Sequence, residues 1–463
     1  MQNNANIDWS AVARQDLDFA HQTIIDAHPG AIDHENPNFK QWLWFGYRHA
    51  STLAARAKSR EQALAALRYY SVGFKDGHLL VYDPQPSELR RWAGWLVDMR
   101  GGDVVVVHAA QDWPVATPPL GARLLSCDQQ SVRKILLRDM APYIDRRVNL
   151  EATWSDLARF LTLDLSSIPI AGRKLYRSCV AESADGARHI YSMLWQDGPA
   201  LCPDVYAAQA PSPQIIGLGE GRYWIHVTQF RPDQAQYQAW RQMLEQVRML
   251  RDAKLVVFDT RGNKGGNSAL GQELLGALLG HGRRPDGPQQ QAIALWRVSP
   301  IAVAATGERM RDVEHAYGEH SATFKSAARL HDDLQQALAN QQPWVEQSDV
   351  PETSPPPQPV QPFAGKLVLL TDSRCASACL DFADCVLSVP GALHVGLPTS
   401  ADSVYLDVAL VDLPSGLKMM LPLKVWRDRA RRNNQPLIPN YRFQGNIDDT
   451  QALRRWVLDL GDL

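Results

Sequence analysis

Lys254-Leu255-Val256-Val257-Phe258-Asp259-Thr260-Arg261-Gly262-Asn263-Lys264-Gly265-Gly266-Asn267 is the stretch that decides the fold. Its first half is apolar at successive positions rather than at alternate ones, and a glycine-rich turn closes it. That pattern marks a strand covered on both faces. Ser268 to Leu279 then repeats apolar residues at helical spacing. Upstream, Tyr223-Trp224-Ile225-His226-Val227 reads as a strand and Gln234 to Leu250 as a helix. Downstream, Lys366-Leu367-Val368-Leu369-Leu370 is a second buried strand, with a helix from Ala376 to about Leu387. Continuous apolar strands alternating with helices define an α/β core. It occupies 205–463 and is interrupted by an insertion, 283–364. The middle of the insertion, Val313 to Asn340, reads as helical, and its proline-rich end, Pro351 to Pro362, as an extended linker.

The front of the chain has another texture. Residues 1–88 read as a helical domain: Leu17, Ala20, Ile24 and Ile25 share one face, Asn36-Pro37 opens a second helix, and Ser59 with Gln62 forms a capping box. It ends at the turn Gly73-Phe74-Lys75-Asp76-Gly77-His78, before a short apolar run from Leu79 to Tyr82. Residues 89–150 supply strands at Asp103 to His108 and Pro118 to Asp128 and a helix from Ser131, which suit a small peptide-binding module or a β-rich spacer. Residues 151–204 link this module to the core. They contain a hairpin, Lys174 to Glu182 and Arg188 to Trp195, turning at Asp185-Gly186.

Composition narrows the function. The 463 residues carry 48 basic and 50 acidic side chains, a formal net charge of -2. Such a balance excludes a nucleic-acid binder that works through bulk positive charge. No apolar run approaches the ~18 residues that suggest a membrane span. Met1 to Asn6 lacks the basic and apolar regions of a signal peptide, which fits a cytosolic protein or a mature form with an added start Met. The six cysteines, at 127, 179, 202, 375, 379 and 385, form no C-x-x-C pair or zinc pattern. A Cys179–Cys202 bridge is open in an oxidising compartment, and unpaired buried thiols are the preferred reading.

Two strand-to-helix junctions can do chemistry. Gly265-Gly266 leaves bare amide groups at the end of a buried strand, able to hold an oxyanion; alone, it equally suits a tight turn. It lacks the spacing of nucleotide-binding loops. In Thr371-Asp372-Ser373-Arg374-Cys375-Ala376-Ser377-Ala378-Cys379, Ser377 falls in the first helical turn between small neighbours, as a nucleophile or as a helix cap. A serine nucleophile needs a base. His78 is presented on a turn, whereas His108 and His226 lie on apparent strands. His315 and His320, beside Glu314 and Glu319, lack the H-E-x-x-H order, so no metal site is expected there.

Jointly these segments resemble the serine peptidase family of tail-specific (C-terminal processing) proteases and the tricorn core. Asp259 to Gly266 looks like its D-x-R-x-N-x-G-G signature. Cys375-Ala376-Ser377-Ala378-Cys379 looks like its S-A-S-A-S nucleophile block, with the central serine on Ser377. Gly391 to Thr399 is similar to the strand that follows, and Pro119 to Val132 to part of a PDZ-like module. The resemblance covers 220–445 well. It implies a crotonase- or ClpP-like β-β-α catalytic core.

It further implies a peptidase acting on peptide or protein substrates without metal or organic cofactor. Tail-specific members pair the serine with a lysine, but the residue 25 positions after Ser377 is Asp402. Tricorn-like members use a histidine placed where Asp76-Gly77-His78-Leu79 stands, which makes His78 the expected base. Where that branch has a serine before the base, Gly77 stands; where it has a glutamate after the nucleophile block, Leu380-Asp381 stands. Where it has a late glutamate to orient the histidine, the nearest match is Asn433, with Asp402 and Asp428 as carboxylate substitutes. The expected oxyanion donors are Gly265 or Gly266 with Ala378. Relatives with this domain order imply a periplasmic or secreted protein. The alternative is a non-catalytic peptide- or small-ligand-binding protein on the same fold; a CoA-thioester enzyme rests on fold analogy alone.

Overall fold

The computed structural model describes residues 7–86, 90–197, 214–280, 292–348 and 363–461. The deciding stretch is the strand Leu255–Asp259, and all five of its residues are buried. It pairs in parallel with Arg222–His226 on one side and Lys366–Thr371 on the other, within a six-stranded sheet that continues to Leu393–Gly396 and Tyr441–Arg442. Gln214–Gly219 closes the opposite edge antiparallel.

Successive side chains of a strand point to opposite faces, so each face needs its own cover. Val256, Phe258, Leu367 and Leu369 pack against the helices Gln234–Arg248, Ser268–Leu279 and Ala378–Leu387. Leu255, Val257, Val368 and Leu370 pack against Leu453 and Val457 of the helix Thr450–Gly461. Burying one such side chain contributes about 1.5–3 kcal/mol, enough to fix which face each helix takes. Phe258 sits opposite Leu369, and Asp259 opposite Leu370. The two strands therefore end level, and the loops after them leave from the same edge.

A second sheet is built around the long strand Lys418–Arg427, which pairs with Leu80–Tyr82, Ile293–Arg297 and Tyr405–Asp412. Its apolar face joins one core with the helices Trp9–Ala27, Pro37–Ala54 and Arg60–Val72 and with the helices Pro300–Tyr317 and Ala322–Ala339. The front helices and the inserted helices, separate units by sequence, thus bury their stripes together. The inserted helix expected from Val313 to Asn340 is two helices that break at Gly318, whose φ of +80° suits a residue without Cβ. The expected linker from Pro351 to Pro362 lies outside the described residues.

The third sheet runs Trp95–Arg100, Asp103–Ala109, Arg123–Cys127, Ser178–Glu182, Arg188–Ser192. Its last two strands are the expected hairpin, with Gly186 in the turn at φ +83°. The strands of 89–150 and of 151–204 therefore share one sheet. Cys127 and Cys179 are cross-strand neighbours in it and are disulfide-bonded. A second disulfide joins Cys375 to Cys379. Both bonds correct the expectation of unpaired thiols and of a Cys179–Cys202 bridge. The register that brings Cys127 to Cys179 is a long-range property that spacing does not encode. Among the described residues only Cys385 is a free thiol, and Cys202 lies outside them.

Candidate active site

Ser377 stands where the chain turns from the strand Lys366–Thr371 into the helix Ala378–Leu387. Its backbone angles, φ +56° and ψ -128°, are rarely adopted by a residue with a Cβ and hold it in a sharp turn. The side chain makes no capping hydrogen bond, which removes the helix-cap reading for its hydroxyl. The Ser377 amide donates to Asp402 Oδ1 at 3.1 Å, and its carbonyl accepts from the Leu380 amide at 2.8 Å. The residue itself is half-buried, so Oγ lies within reach of solvent.

The glycine loop is anchored by Asp259. Its carboxylate accepts from Arg261 through the backbone amide, Nε and Nη2, from Trp224 Nε1 at 3.0 Å, and faces His226 Nδ1 at 3.2 Å. Burial pushes the Asp259 carboxyl up, but these partners outweigh it and hold it well below the usual carboxylate range. Asn263 crosses between the loops. Its Nδ2 donates to the Val227 carbonyl at 2.7 Å, its Oδ1 accepts from the Gly265 amide at 2.8 Å, and its own carbonyl accepts from the Ala376 amide. Gly262 donates to Asp372 Oδ2 at 3.0 Å. These bonds lock the two junctions together.

At their contact the geometry demands glycine. Gly265 has φ +94°, and a Cβ built there would lie 2.7 Å from the Ala376 carbonyl oxygen, 2.7 Å from Ser377 Cβ and 2.8 Å from the Ala378 nitrogen. Gly266, at φ +137°, pairs in parallel with Phe230, whose oxygen a Cβ would meet at 2.1 Å. The bonds of that bridge run from Phe230 to the Gly265 carbonyl and from Asn267 to Phe230, so the Gly266 amide points away from Phe230. The Ala378 amide begins a helix and has no acceptor one turn back. Of the three expected oxyanion donors, Gly266 and Ala378 thus keep their amides unspent; Gly265 has given its own to Asn263.

His78 is brought to the same neighbourhood by the turn that carries it. Asp76 Oδ1 accepts from the His78 amide at 2.9 Å and from Ser403 Oγ at 2.7 Å, and Asp76 Oδ2 faces His28 Nε2 at 3.3 Å. Burial pushes the Asp76 carboxyl up, while His28 and the bonded groups more than offset it and leave it low; burial likewise lowers His28. Arg147 donates to the Ala401 carbonyl at 2.7 Å and to Asn434 Oδ1 at 3.3 Å, and Gly77 packs against its guanidinium. Asn434 in turn donates to the Lys75 carbonyl and through its amide to the Asp402 carbonyl. Residues 75–78 are therefore laced to 401–403, directly beside Ser377. His78 and Ser377 share no hydrogen bond here. His78 Nδ1 and Asp402 Oδ2 are both buried without a hydrogen-bond partner, and Asp402 Oδ2 has only Arg431 Nη1, at 3.7 Å.

Asn433 is spent elsewhere: its Oδ1 accepts from the Val404 amide at 3.1 Å. Asp381 lies one helical turn after Ser377 and is held by Arg429, Arg431 and Ser268. Arg147 and Asn434 carry no sequence sign of their lacing role, since loop-to-loop bonds leave no periodic trace. Among the described residues there is no cluster of three or more metal-ligating side chains, and no helix long and apolar enough to cross a membrane.

Residues 223–442 match the profile of peptidase family S41, a stretch that holds both junctions, Asp402 and Asn433. The match spans the α/β part of the chain, and the family resemblance is confined to it. No curated protein matches the sequence. Among solved structures the chain is similar to mature CPAF, with TM-score 0.66 at 12% identity over 98% of this chain and 97% of the other. A CPAF mutant gives TM-score 0.70 at 13% identity over 98% and 97%. A CPAF complex with lactacystin gives 0.68 at 13% over 98% of both. At such identities the likeness concerns the mixed α/β fold, and it extends along nearly the whole chain. The match to the S41 peptidase family supports a serine peptidase.

Proposed function

We propose that this chain is a serine peptidase in which Ser377 attacks the scissile carbonyl and His78 accepts its proton. The amides of Gly266 and Ala378 hold the oxyanion, and Gly265 provides the bare surface that lets the two loops meet. Removing one oxyanion donor typically costs roughly 2.7–4 kcal/mol of barrier, so the loop geometry matters as much as the nucleophile. The observation that carries the reading is the glycine-only contact of Gly265 with Ser377 Cβ and the Ala378 nitrogen. Asp402 is the preferred third member, because its free Oδ2 and the free His78 Nδ1 lie on two turns tied to each other; Asn433, already bonded to Val404, ranks behind it. Catalytic hydrogen bonds are often long before substrate arrives, which accommodates the unjoined His78 and Ser377.

The fold class proposed is a crotonase-like core with the His of the tricorn-like branch. The sheet from Trp95 to Ser192 serves as the PDZ-like module that captures a peptide as an added strand or by its terminal carboxylate. Two disulfides support an oxidising compartment, periplasmic or secreted. Cys385 is no rival nucleophile, since burial pushes its thiol up to about 11.

Hydrolysis of an unfolded protein substrate tests the reading: Ser377→Ala and His78→Gln each lose at least ~10³-fold in kcat, while Ser373→Ala stays near wild type. The separation of His78 from Ser377 favours a second reading, a peptide-binding protein without turnover. Wild-type protein that binds such a substrate and leaves it intact supports that reading instead.

A further inference from the structure

Ser377 is the midpoint of a covalent ring. Cys375 and Cys379, two positions to either side, are disulfide-bonded, with their Cα atoms 5.4 Å apart. We propose that this disulfide is a clasp that positions the nucleophile, so that Ser377 reacts only when Cys375 and Cys379 are oxidised. The inference rests on the reading of Ser377 as nucleophile and adds a condition to it.

The clasp spans the strained turn itself. Cys375 belongs to the strand side: its amide donates to the Asp372 carbonyl at 3.2 Å, and its carbonyl accepts from Ser400 at 3.1 Å. Cys379 belongs to the first turn of the helix, with its amide on the Ala376 carbonyl. The bond therefore ties the incoming limb to the outgoing limb, and the residue between them is the one with positive φ. A backbone conformation of that kind persists only where its surroundings over-determine it. Beyond the disulfide, the Ser377 backbone is held by the Asp402 bond to its amide and by the Leu380 and Asp381 amides on its carbonyl. Opening the ring frees the two limbs to relax toward ordinary helical angles, which turns Oγ away from the Gly266 and Ala378 amides.

Burial decides when the condition is set. Cys375 and Cys379 are both fully buried, packed with Leu380 against Leu437. Thiol exchange needs access to sulfur, so the folded, oxidised protein resists reduction. The clasp closes during folding: the two thiols give up two protons and two electrons to a disulfide oxidant, which leaves as two thiols. A chain folded in a reducing compartment lacks the bond and stays latent. The Cys127–Cys179 disulfide ties two strands of a different sheet and serves as an internal control.

The test uses wild-type protein. Reduced chain is folded with a limiting amount of a disulfide oxidant, so that only part of it closes the clasp, then reacted briefly with a fluorophosphonate, denatured, alkylated with iodoacetamide and digested with trypsin. Cleavage after Arg374 and Lys418 leaves Cys375, Ser377 and Cys379 in one peptide, whose mass reports both label and oxidation state. The expected result is label at least about tenfold more frequent on oxidised peptides than on reduced ones. Equal labelling of both overturns the clasp and leaves Ser377 as nucleophile. Label on another residue, or none on the wild type, overturns the nucleophile and the clasp with it. In parallel, the pair C375A/C379A is expected to lose kcat at least about tenfold with KM little changed, whereas any loss in C127A/C179A, whose bond lies in the peptide-capturing sheet, falls on KM.

Discussion

Asp402 Oδ1 accepts the backbone amide of Ser377 at 3.1 Å, so a buried carboxylate grips the candidate nucleophile by its main chain. Its other oxygen is unpartnered apart from the Arg431 guanidinium at 3.7 Å. A hydrogen bond to a charged group contributes about 1.5–3 kcal/mol, so Asp402→Ala is expected to lower kcat roughly 10- to 100-fold with KM little changed. Asp402→Asn keeps an acceptor for the amide and loses the charge. Steady-state kinetics of the two variants separates the grip on the Ser377 amide from the charge of the carboxylate.

Gly265→Ala is expected to abolish turnover, because its Cβ has no room beside Ser377 and Ala378. Gly121→Ala is the control: it too has positive φ, +79°, but nothing lies within 4 Å of a Cβ there. Left-handed backbone costs an L-residue roughly 1–2 kcal/mol, so Gly121→Ala loses a few degrees of Tm and keeps its activity. Thermal melts and peptide hydrolysis on both variants make the comparison.

The α/β core was legible because its strands are apolar on both faces and its junctions carry their own punctuation. Ser268 to Leu279 is the helix expected, to the residue. Ser377 and Gly266 could be named only because the two junctions jointly resemble the motifs of a known peptidase family; alone, each suits a turn or a helix cap equally well. The lacing of residues 75–78 to 401–403 was not legible, for it consists of side chain–backbone bonds between loops more than 300 residues apart in sequence. Nor was the shared core of the front and inserted helices, since an amphipathic stripe announces a buried face without naming its partner. The Cys375–Cys379 bond had a visible sign, two cysteines framing one serine, which reads as a disulfide only once the turn between them is known to be non-helical.

His394 gives the fold an acid limit. It is buried, with Nε2 at 2.8 Å from Thr371 Oγ1, and burial lowers its pKa to about 4. Below pH 6.5 the unfolded chain takes up a proton on this ring that the folded chain refuses until about pH 4. Stability is therefore whole above pH 6.5 and falls as the pH drops toward 4. Urea midpoints measured across that range should show the decline, and His394→Gln should flatten it.

Arg147 holds the turn of His78 in place through Ala401, Asn434 and its ion pair with Asp145. Arg147→Ala takes the guanidinium from the half-buried Asp145 carboxylate, which keeps Thr153 and a backbone amide as donors, a loss of about 1.5–3 kcal/mol. A lower Tm and slower hydrolysis are expected together. Unchanged hydrolysis in a folded Arg147→Ala protein removes this turn from the active site.

The most direct measurement of the central claim is the intact mass of the chain after exposure to a fluorophosphonate. The wild-type chain is expected to gain the mass of one phosphonyl group, carried by Ser377, and Ser377→Ala to gain none. A wild-type chain of unaltered mass, or a Ser377→Ala chain that still gains the group, contradicts that claim.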